Sequence, residues 1–286
     1  MTLHGRYIEL WVEAREGKAA VNPIMRALLG ALEQAGARTA VRVPEREIID
    51  PMRLTRESPP DLVLLKSATT LALALAVADE AHGARFLNGA LATLRAHDKA
   101  ATVARLAAAG LPTPPTWLRG MTHAPAELPC ESSGGWVVKP VRGVHGRGVT
   151  NHATLAEALA IPAEPGVSHG YVVDDGTRLL QCRIGGDEPD LKVYVAGERI
   201  FAGRKRFSAD SYASNAIEPL RLDARVAEIV LAAGAALDLR CFGVDLRVER
   251  DRPVIIDANP FPGYRGFPDA VDALLGEIER RLEEDR

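Results

Sequence analysis

From residue 7 to residue 87, short apolar runs alternate with stretches of helical period. Tyr7–Val12 reads as a strand. Ile24, Leu28, Ala31, Leu32 and Ala35 then fall on one face of a helix. Asn22 is placed to cap that helix, Pro23 to start it and Gly36 to end it. Thr39–Val43 reads as a second strand. Asp61–Leu65 reads as a third, apolar enough to be buried on both faces. A helix over Thr70–Ala81, closed near Gly83, and a short strand Arg85–Leu87 complete a βαβαβ pattern, which predicts a small parallel sheet. No GxGxxG follows the first strand, so the dinucleotide fingerprint is absent. This unit reads as a scaffold or as one wall of a substrate cleft.

Asn88–Gly110 reads as helical, with Asp98 capping Lys99–Ala109 and Gly110 in the C′ position. Pro112, Pro114 and Pro115 enforce an extended connection. A boundary is expected near residue 88. Trp136–Lys139 is a strand that runs into a glycine-rich loop, Val141–Val149. Thr154-Leu-Ala-Glu157 has capping-box spacing. Pro162–Gly170 reads as a linker, and Tyr171–Val173 and Arg178–Gln181 as strands. Leu191–Ala196 and Arg199–Gly203 form a hairpin about Ala196-Gly197-Glu198. Asp223–Leu237 and Pro268–Leu282 are amphipathic helices. Between them, Phe242, Val244, Leu246 and Val248 alternate, and Val254–Ile256 is a second apolar run. Glu249-Arg250-Asp251-Arg252 suits the exposed tip of a hairpin.

Composition narrows the class. A chain of 286 residues holds two domains or one large unit, and 47% apolar with 26% charged residues is an ordinary globular balance. A net charge of −3 gives no global reason to expect nucleic acid or an anionic membrane. Three cysteines, Cys130, Cys182 and Cys241, lack metal-ligand spacing and read as reduced thiols of a cytoplasmic protein. No apolar signal core follows a basic start, and the aliphatic stretch Leu71–Ala81, broken by Asp79 and Glu80, is too short to span a bilayer. The expectation is a cytoplasmic protein without nucleic-acid or membrane partners.

The candidate chemistry gathers on the Cys241–Phe267 hairpin. Asp245 on its first strand faces Asp257 and Asn259 on its second. Two carboxylates and an amide oxygen make a hard, oxygen-only site suited to Mg²⁺ held with nucleotide phosphates. Taken singly, these acids also fit a solvated hairpin. Gly143, Gly146 and Gly148 permit the close backbone approach of an anion-binding nest, to which Arg142 and Arg147 add charge. The same loop also fits a plain β-hairpin turn, and no GK[ST] follows, so it is not a Walker A loop. His145 and His152 read as loop residues. Lys192, Arg204, Lys205 and Arg206 surround one sheet region. Lys192 and Arg204 are favoured there for neutralising a phosphoryl group, against a solvated basic edge. Lys99 alone reads as a solvated helix lysine.

Taken in order, helical Lys99, strand-end Lys139-Pro140, the glycine-rich loop, Gln181 with following acids, Asp245, and Asp257-x-Asn259 with Pro262-Gly263 resemble the ATP-grasp superfamily over residues 88–268. NGALATLRAHDKAATVARLAAAGLPTPPTW and VVKPVRGVHGRGV look like the RimK-like amino-acid ligases. DLKVYVAGERI and VIIDANPFPGYRGF are similar to inositol trisphosphate kinases. The resemblance implies an α/β ATP-grasp fold, α+β in its C-terminal half. It divides the chain into an N-terminal βαβ unit (1–88), a central subdomain with the glycine-rich loop (89–178) and a C-terminal subdomain with the Mg²⁺ site (179–286).

By the same resemblance Lys99 and Lys139 contact ATP phosphates, with Lys139 also near the adenine. Gly143–Gly148 close over the phosphates, and Gln181, Cys182 and Ile184 line the adenine hinge. One acid among Asp187, Glu188 and Asp190 holds the ribose, Asp190 being the one carried forward. Asp190-Leu-Lys192 matches the ligases' Asp-x-Arg with Lys in place of Arg. Arg204 sits near the γ-phosphate. Asp245, Asp257 and Asn259 bind Mg²⁺, two ions, with Mn²⁺ as a substitute. Many ligases carry Glu where Asp257 stands, whereas the inositol kinases carry Asp; the ligases' Asn-plus-Gly-Gly loop is not evident after Asn215.

The implied activity is ATP-dependent joining of a small carboxylate to an amine through an acylphosphate, with homo-oligomerisation by analogy. The alternative is a kinase of the inositol-phosphate type. Its dense basic pocket would draw on Arg142, Arg147, Lys192, Arg204, Lys205 and Arg206, although the first 88 residues are not noticeably basic. A third reading, a nucleotide-binding protein without catalysis, is opposed by the retention of both lysines, the loop and three metal ligands.

Overall fold

The computed structural model describes residues 3–15, 18–50, 58–120, 128, 134–143, 148–162, 166–168, 172–174, 176–185, 190–205 and 217–284. Its first unit is built on β1 (Tyr7–Trp11). The chain then makes a small hairpin, β2 (Ala14–Arg15) and β3 (Lys18–Ala19), before α1 (Pro23–Gln34), β4 (Arg38–Arg42), β5 (Leu62–Leu65) and α2 (Thr70–Ala81). β1 lies between β4 and β5 and runs parallel to both. Local signals set the helix starts: Asn22 accepts from Met25 N, and Thr69 from Ala72 N. All four residues of β5 are buried, as its unbroken apolar run requires.

Arg85–Leu87 does not form the expected strand; only Phe86 bridges to Val63. The reason lies in the next residue. Asn88 turns away from the sheet, donating to Cys241 O at 2.7 Å and accepting from the backbone N–H groups of Arg240 and Cys241 at 2.9 Å. That tie leads into α3 (Ala90–Ala96). α4 (Lys99–Ala108) starts afresh where Asp98 caps Ala101 N. Asn88–Gly110 is thus two helices.

The second sheet has the order β6-β11-β7-β8, all antiparallel: β6 (Thr116–Arg119), β7 (Trp136–Pro140), β8 (Thr150–His152) and β11 (Arg178–Cys182). α5 (Leu155–Ala160) packs on it and carries the full capping box between Thr154 and Glu157. β9 (Gly166–Ser168) and β10 (Val172–Asp174) form a separate hairpin inside the stretch read as a linker.

The third sheet, β14-β13-β12-β15-β16, is antiparallel throughout. It comprises β12 (Asp190–Ala196), β13 (Arg199–Lys205), β14 (Glu218–Pro219), β15 (Cys241–Glu249) and β16 (Arg252–Pro260). α6 (Ala224–Leu237) covers one face, where Val230, Ala233 and Leu237 meet Phe242, Val244 and Leu246. The β15–β16 tip turns through Arg250 (φ 49°) and Asp251 (φ 61°), the two positive angles of a type I′ turn.

α7 (Ala270–Glu283) follows this sheet in the chain but packs on the first unit: Leu274, Ile278 and Leu282 share one core with Leu28, Leu32 and Leu10. Its buried residues are Ala270, Ala273, Leu274, Glu277, Ile278 and Leu282, with Val271 and Leu275 half-buried at its flanks. Of the cysteines expected to be reduced, Cys241 is a free buried thiol and Cys182 is disulfide-bonded. That corrects the expectation at Cys182, for sequence spacing does not reveal which thiols meet in space.

Candidate functional site

Three lysines converge on two aspartates. Asp245 and Asp257 are cross-strand partners on β15 and β16, and Lys192 on β12 is the partner of Asp245 on its other side. Because opposed residues in an antiparallel pair point to the same face, this register alone lays Lys192, Asp245 and Asp257 in a row across the sheet. Lys192 Nζ donates to Asp245 Oδ2 at 2.6 Å. Lys99, the first residue of α4, reaches the other end of the row and donates to both oxygens of Asp257, at 3.1 and 3.2 Å.

A β-bulge positions the third lysine. Beyond the Asp245–Asp257 pair the register shifts, so that Leu246 opposes Ile255 and Ile256 is the extra residue. Lys139 Nζ donates to the Ile256 carbonyl at 2.9 Å. Lys139 is buried at the end of β7, and burial pulls its pKa down against the pull of Asp257.

The carboxylates differ in character. Burial raises the pKa of Asp245, and neighbouring Asp257 adds to this despite the contact with Lys192. Burial also acts on Asp257, but Lys99 and Lys139 outweigh it and hold its carboxyl below the usual range. For Lys192 the attraction of Asp245 outweighs burial and drives the ammonium pKa up. A divalent cation fits this donor set. Two carboxylates and the amide of Asn259, which is exposed and two residues beyond Asp257, offer hard oxygen ligands, and each carboxylate is paired with a lysine that a cation would replace.

A narrow cleft, with a cavity volume of only about 10 Å³, runs from these groups between the second and third sheets. Its walls are Thr102, Val103 and Leu106 of α4, Leu179 and Gln181 of β11, and Ile255 and Ile256 of β16, with Lys99, Lys139 and Asp257 at its polar end. The chemistry of this lining, apolar walls ending in cations and carboxylates, matches a planar base with a phosphate tail, which would enter only once the walls part. Gln181 is buried and donates to Thr116 Oγ1 at 2.9 Å. In the segment expected to line the adenine, Cys182 N and Arg183 N donate to Pro115 O and Gly135 O, and Ile184 O accepts from Arg247. Asp190 is buried and ion-paired to Arg247 at 2.7 Å.

Not every expected residue reaches the site. Arg204 pairs with Leu191, whereas Gly203 pairs with Lys192. With a side-chain period of two, Arg204 therefore lies on the face opposite the carboxylate row, exposed to solvent. Gly143 and Gly148 flank the loop, Gly148 at φ +72°, where an added Cβ would meet the Pro140 ring. Val141 O accepts from Lys99 N at 2.9 Å, and Arg142 lies 3.7 Å from Asp98, so the start of the loop is tied to the start of α4. His152, expected in the loop, instead ends β8 opposite Trp136, and its Nε2 contacts Thr150 Oγ1. Gly146, His145, Arg147, Asp187, Glu188, Arg206 and Asn215 lie outside the described residues, as do the side chain of Lys205 and the partner of Cys182.

Sequence reasoning missed the apolar walls, although Lys99, Thr102, Val103 and Leu106 carry the i, i+3, i+4, i+7 signal of one helical face. It also missed Arg247, whose partners Asp190 and Ile184 lie far from it in the chain.

A family model for the ATP-grasp domain matches residues 96–263. Among curated proteins, a probable α-L-glutamate ligase 2 of Shewanella frigidimarina is 25% identical over 217 residues, covering 70% of each chain. A probable α-L-glutamate ligase of Picosynechococcus is 28% identical over 229 residues, covering 76% of this chain and 73% of that one. Among solved structures, a RimK domain ATP-grasp protein from Sphaerobacter thermophilus superposes with a TM-score of 0.71 at 17% identity, over 97% of this chain and 99% of that one. A D-alanine–D-alanine ligase from Bacillus anthracis, complexed with ATP, gives 0.70 at 17% identity, over 97% of each chain. These structures share the fold.

Proposed function

Because the chain belongs to the ATP-grasp domain family, whose model spans more than half of it, we propose that it is an ATP-dependent carboxylate–amine ligase. The observation that carries this reading is the row Lys192–Asp245–Asp257–Lys99 at the polar end of an apolar cleft.

In this reading ATP lies in the cleft with its base between Leu106, Leu179 and Ile255 and its phosphates toward Lys99 and Lys139. Asp245, Asp257 and Asn259 would hold Mg²⁺, which would supply neutralisation of phosphate charge. The lysines exchange carboxylate and carbonyl partners for phosphate oxygens, and Lys192 remains the cation nearest the transferred group. A carboxylate oxygen of the substrate attacks the γ-phosphorus, and the bond to the ADP oxygen breaks. An amine then attacks the acyl carbon, loses a proton, and expels phosphate to leave an amide. The site contributes mainly position and charge, and no protein nucleophile is needed. Two Mg²⁺ ions, a ribose contact from Asp190, cytoplasmic residence where ATP is supplied, and the division at residues 88 and 178 belong to this reading.

The inositol-phosphate kinase alternative is not favoured. The relatives named above are ligases, and Arg204 faces away from the row. Product analysis decides between them. The protein is incubated with Mg·ATP and a pool of amino acids and small carboxylates, then separately with inositol phosphates. Equal ADP and free phosphate with a condensed product are expected from the first pool. ADP without free phosphate, with an acceptor heavier by one phosphoryl group, would overturn the reading.

A further inference from the structure

A further ion pair lies on the face of the third sheet that carries the carboxylate row. Leu191 pairs with Leu246, so one step outward Asp190 falls beside Arg247. With a side-chain period of two, both stand on the face of Lys192 and Asp245. Arg247 Nε donates to Asp190 Oδ1 at 2.7 Å, and only 22% and 8% of the two side chains are exposed. Another nitrogen of the same guanidinium, Nη1, donates to the Ile184 carbonyl at 3.2 Å. One side chain thus spans two acceptors on separate stretches of the chain.

The Ile184 carbonyl belongs to the stretch by which the chain leaves the second sheet. Gln181, near the end of β11, lines the cleft. Cys182 and Arg183 remain bonded to the second-sheet side through their N–H groups, and Cys182 and Ile184 are buried. The backbone then meets the third sheet: Gly185 has φ +67°, and a Cβ added there would lie 3.4 Å from Val248 O. The stretch therefore runs from the second sheet to β15, and Arg247 secures its far end. Backbone groups that recognise a ligand bind best when already ordered, because ordering them on binding costs affinity. A planar guanidinium suits the task. Its fork serves two acceptors in a fixed geometry, which the point charge of a lysine does not.

We propose that Arg247 is a positioning residue for the nucleoside half of ATP. By bridging Asp190 and the Ile184 carbonyl, it sets the stretch expected along the adenine and the acid expected at the ribose in one arrangement before the nucleotide enters. In this role Arg247 acts through those two groups and touches neither base nor phosphate. The division of labour is spatial: Lys99 and Lys139 serve the phosphate tail at one end of the cleft, and Arg247 serves the base at the other. The proposal rests on the ATP-site reading but can fail separately from it.

The test compares two ligands by calorimetry in the presence of Mg²⁺: ADP, and inorganic tripolyphosphate, which carries a phosphate tail without the nucleoside. Arg247→Met should bind ADP about tenfold or more weakly than wild type, the scale of a lost charged hydrogen bond. It should bind tripolyphosphate as wild type does. This variant leaves Asp190 buried without its cation, which destabilises a fold, so a second variant accompanies it. Arg247→Lys keeps a charge beside Asp190 and gives up the fork. It should fold, lose part of the ADP affinity and leave tripolyphosphate binding intact. A residue that merely supports the fold would not separate the two ligands in this way. Unchanged ADP affinity in Arg247→Lys, or an equal loss for tripolyphosphate, would overturn the proposal. Wild-type protein that binds neither ligand would sink the ATP-site reading and the proposal with it.

Discussion

Lys99 grips Asp257 through both carboxylate oxygens, although 158 residues of chain separate them. The contact joins the first turn of α4 to the end of β16 and closes the polar end of the nucleotide cleft. The metal-ligand candidate and the phosphate-binding candidate thus neutralise each other, and in the proposed function Mg·ATP would part them.

Asp257→Asn should abolish turnover while leaving the fold intact. Loss of a charge that acts on the reacting phosphates costs about 100-fold or more in rate. ADP release and the melting temperature are to be measured together. Near-normal ADP formation would remove Asp257 from the metal site.

Chelation should stop activity without lowering the melting temperature, because Lys99 and Lys192 already neutralise the two carboxylates when no metal is bound. Conversely, Lys99→Met should bind Mg²⁺ more tightly than wild type in the absence of nucleotide, as followed by calorimetry. Equal or weaker binding in that variant would mean that the ammonium and the ion do not compete.

His97 should make stability depend on pH. Its pKa is depressed to about 3 in the folded protein, against 6.5 for the free side chain. Below pH 6.5 the unfolded chain takes up a proton that the folded chain refuses, so stability falls as pH falls from 6.5 toward 3. Urea midpoints between pH 7 and 5 should decline less in His97→Gln than in wild type. Parallel declines would show that His97 is not the group responsible.

Gly234→Ala should destabilise the protein even though alanine is the better helix former. The gain in helix propensity is about 1 kcal/mol. The added methyl group, however, would overlap the Phe242 ring and approach Leu239 O at 3.2 Å, within a core that does not relax freely. Overpacking of this kind costs about 1–3 kcal/mol, so the net effect should be a lowered urea midpoint. An unchanged midpoint would mean that Phe242 can shift at no cost.

Much of this was legible in the sequence because its signals are local. The caps at Asn22, Asp98 and Thr154 and the alternation along β15 rest on neighbours within four residues, and each appears where expected. The nearness of Asp245 to Asp257 and Asn259 followed from a hairpin with one exposed tip, whereas the direct pairing of Asp245 with Asp257 needs the bulge. What escaped depends on register and distance. The face of Arg204 is fixed by its pairing with Leu191, the bulge at Ile256 has no residue signature, and Arg247 acquires meaning only through Asp190 and Ile184. The loss of the Arg85–Leu87 strand depends likewise on Asn88 finding a backbone at residues 240 and 241.

The docking of α7 against α1 bears on synthesis as well as on shape. Leu28 and Leu32 leave the ribosome early, yet the residues that cover them, Leu274, Ile278 and Leu282, are translated after the whole nucleotide cleft. The first sheet therefore waits with an incomplete core and an uncovered apolar face, a state open to aggregation and slow to resolve because its closing contacts are among the most distant in the chain. Truncating the chain before Ala270 should release a protein whose first sheet is a substrate for chaperones.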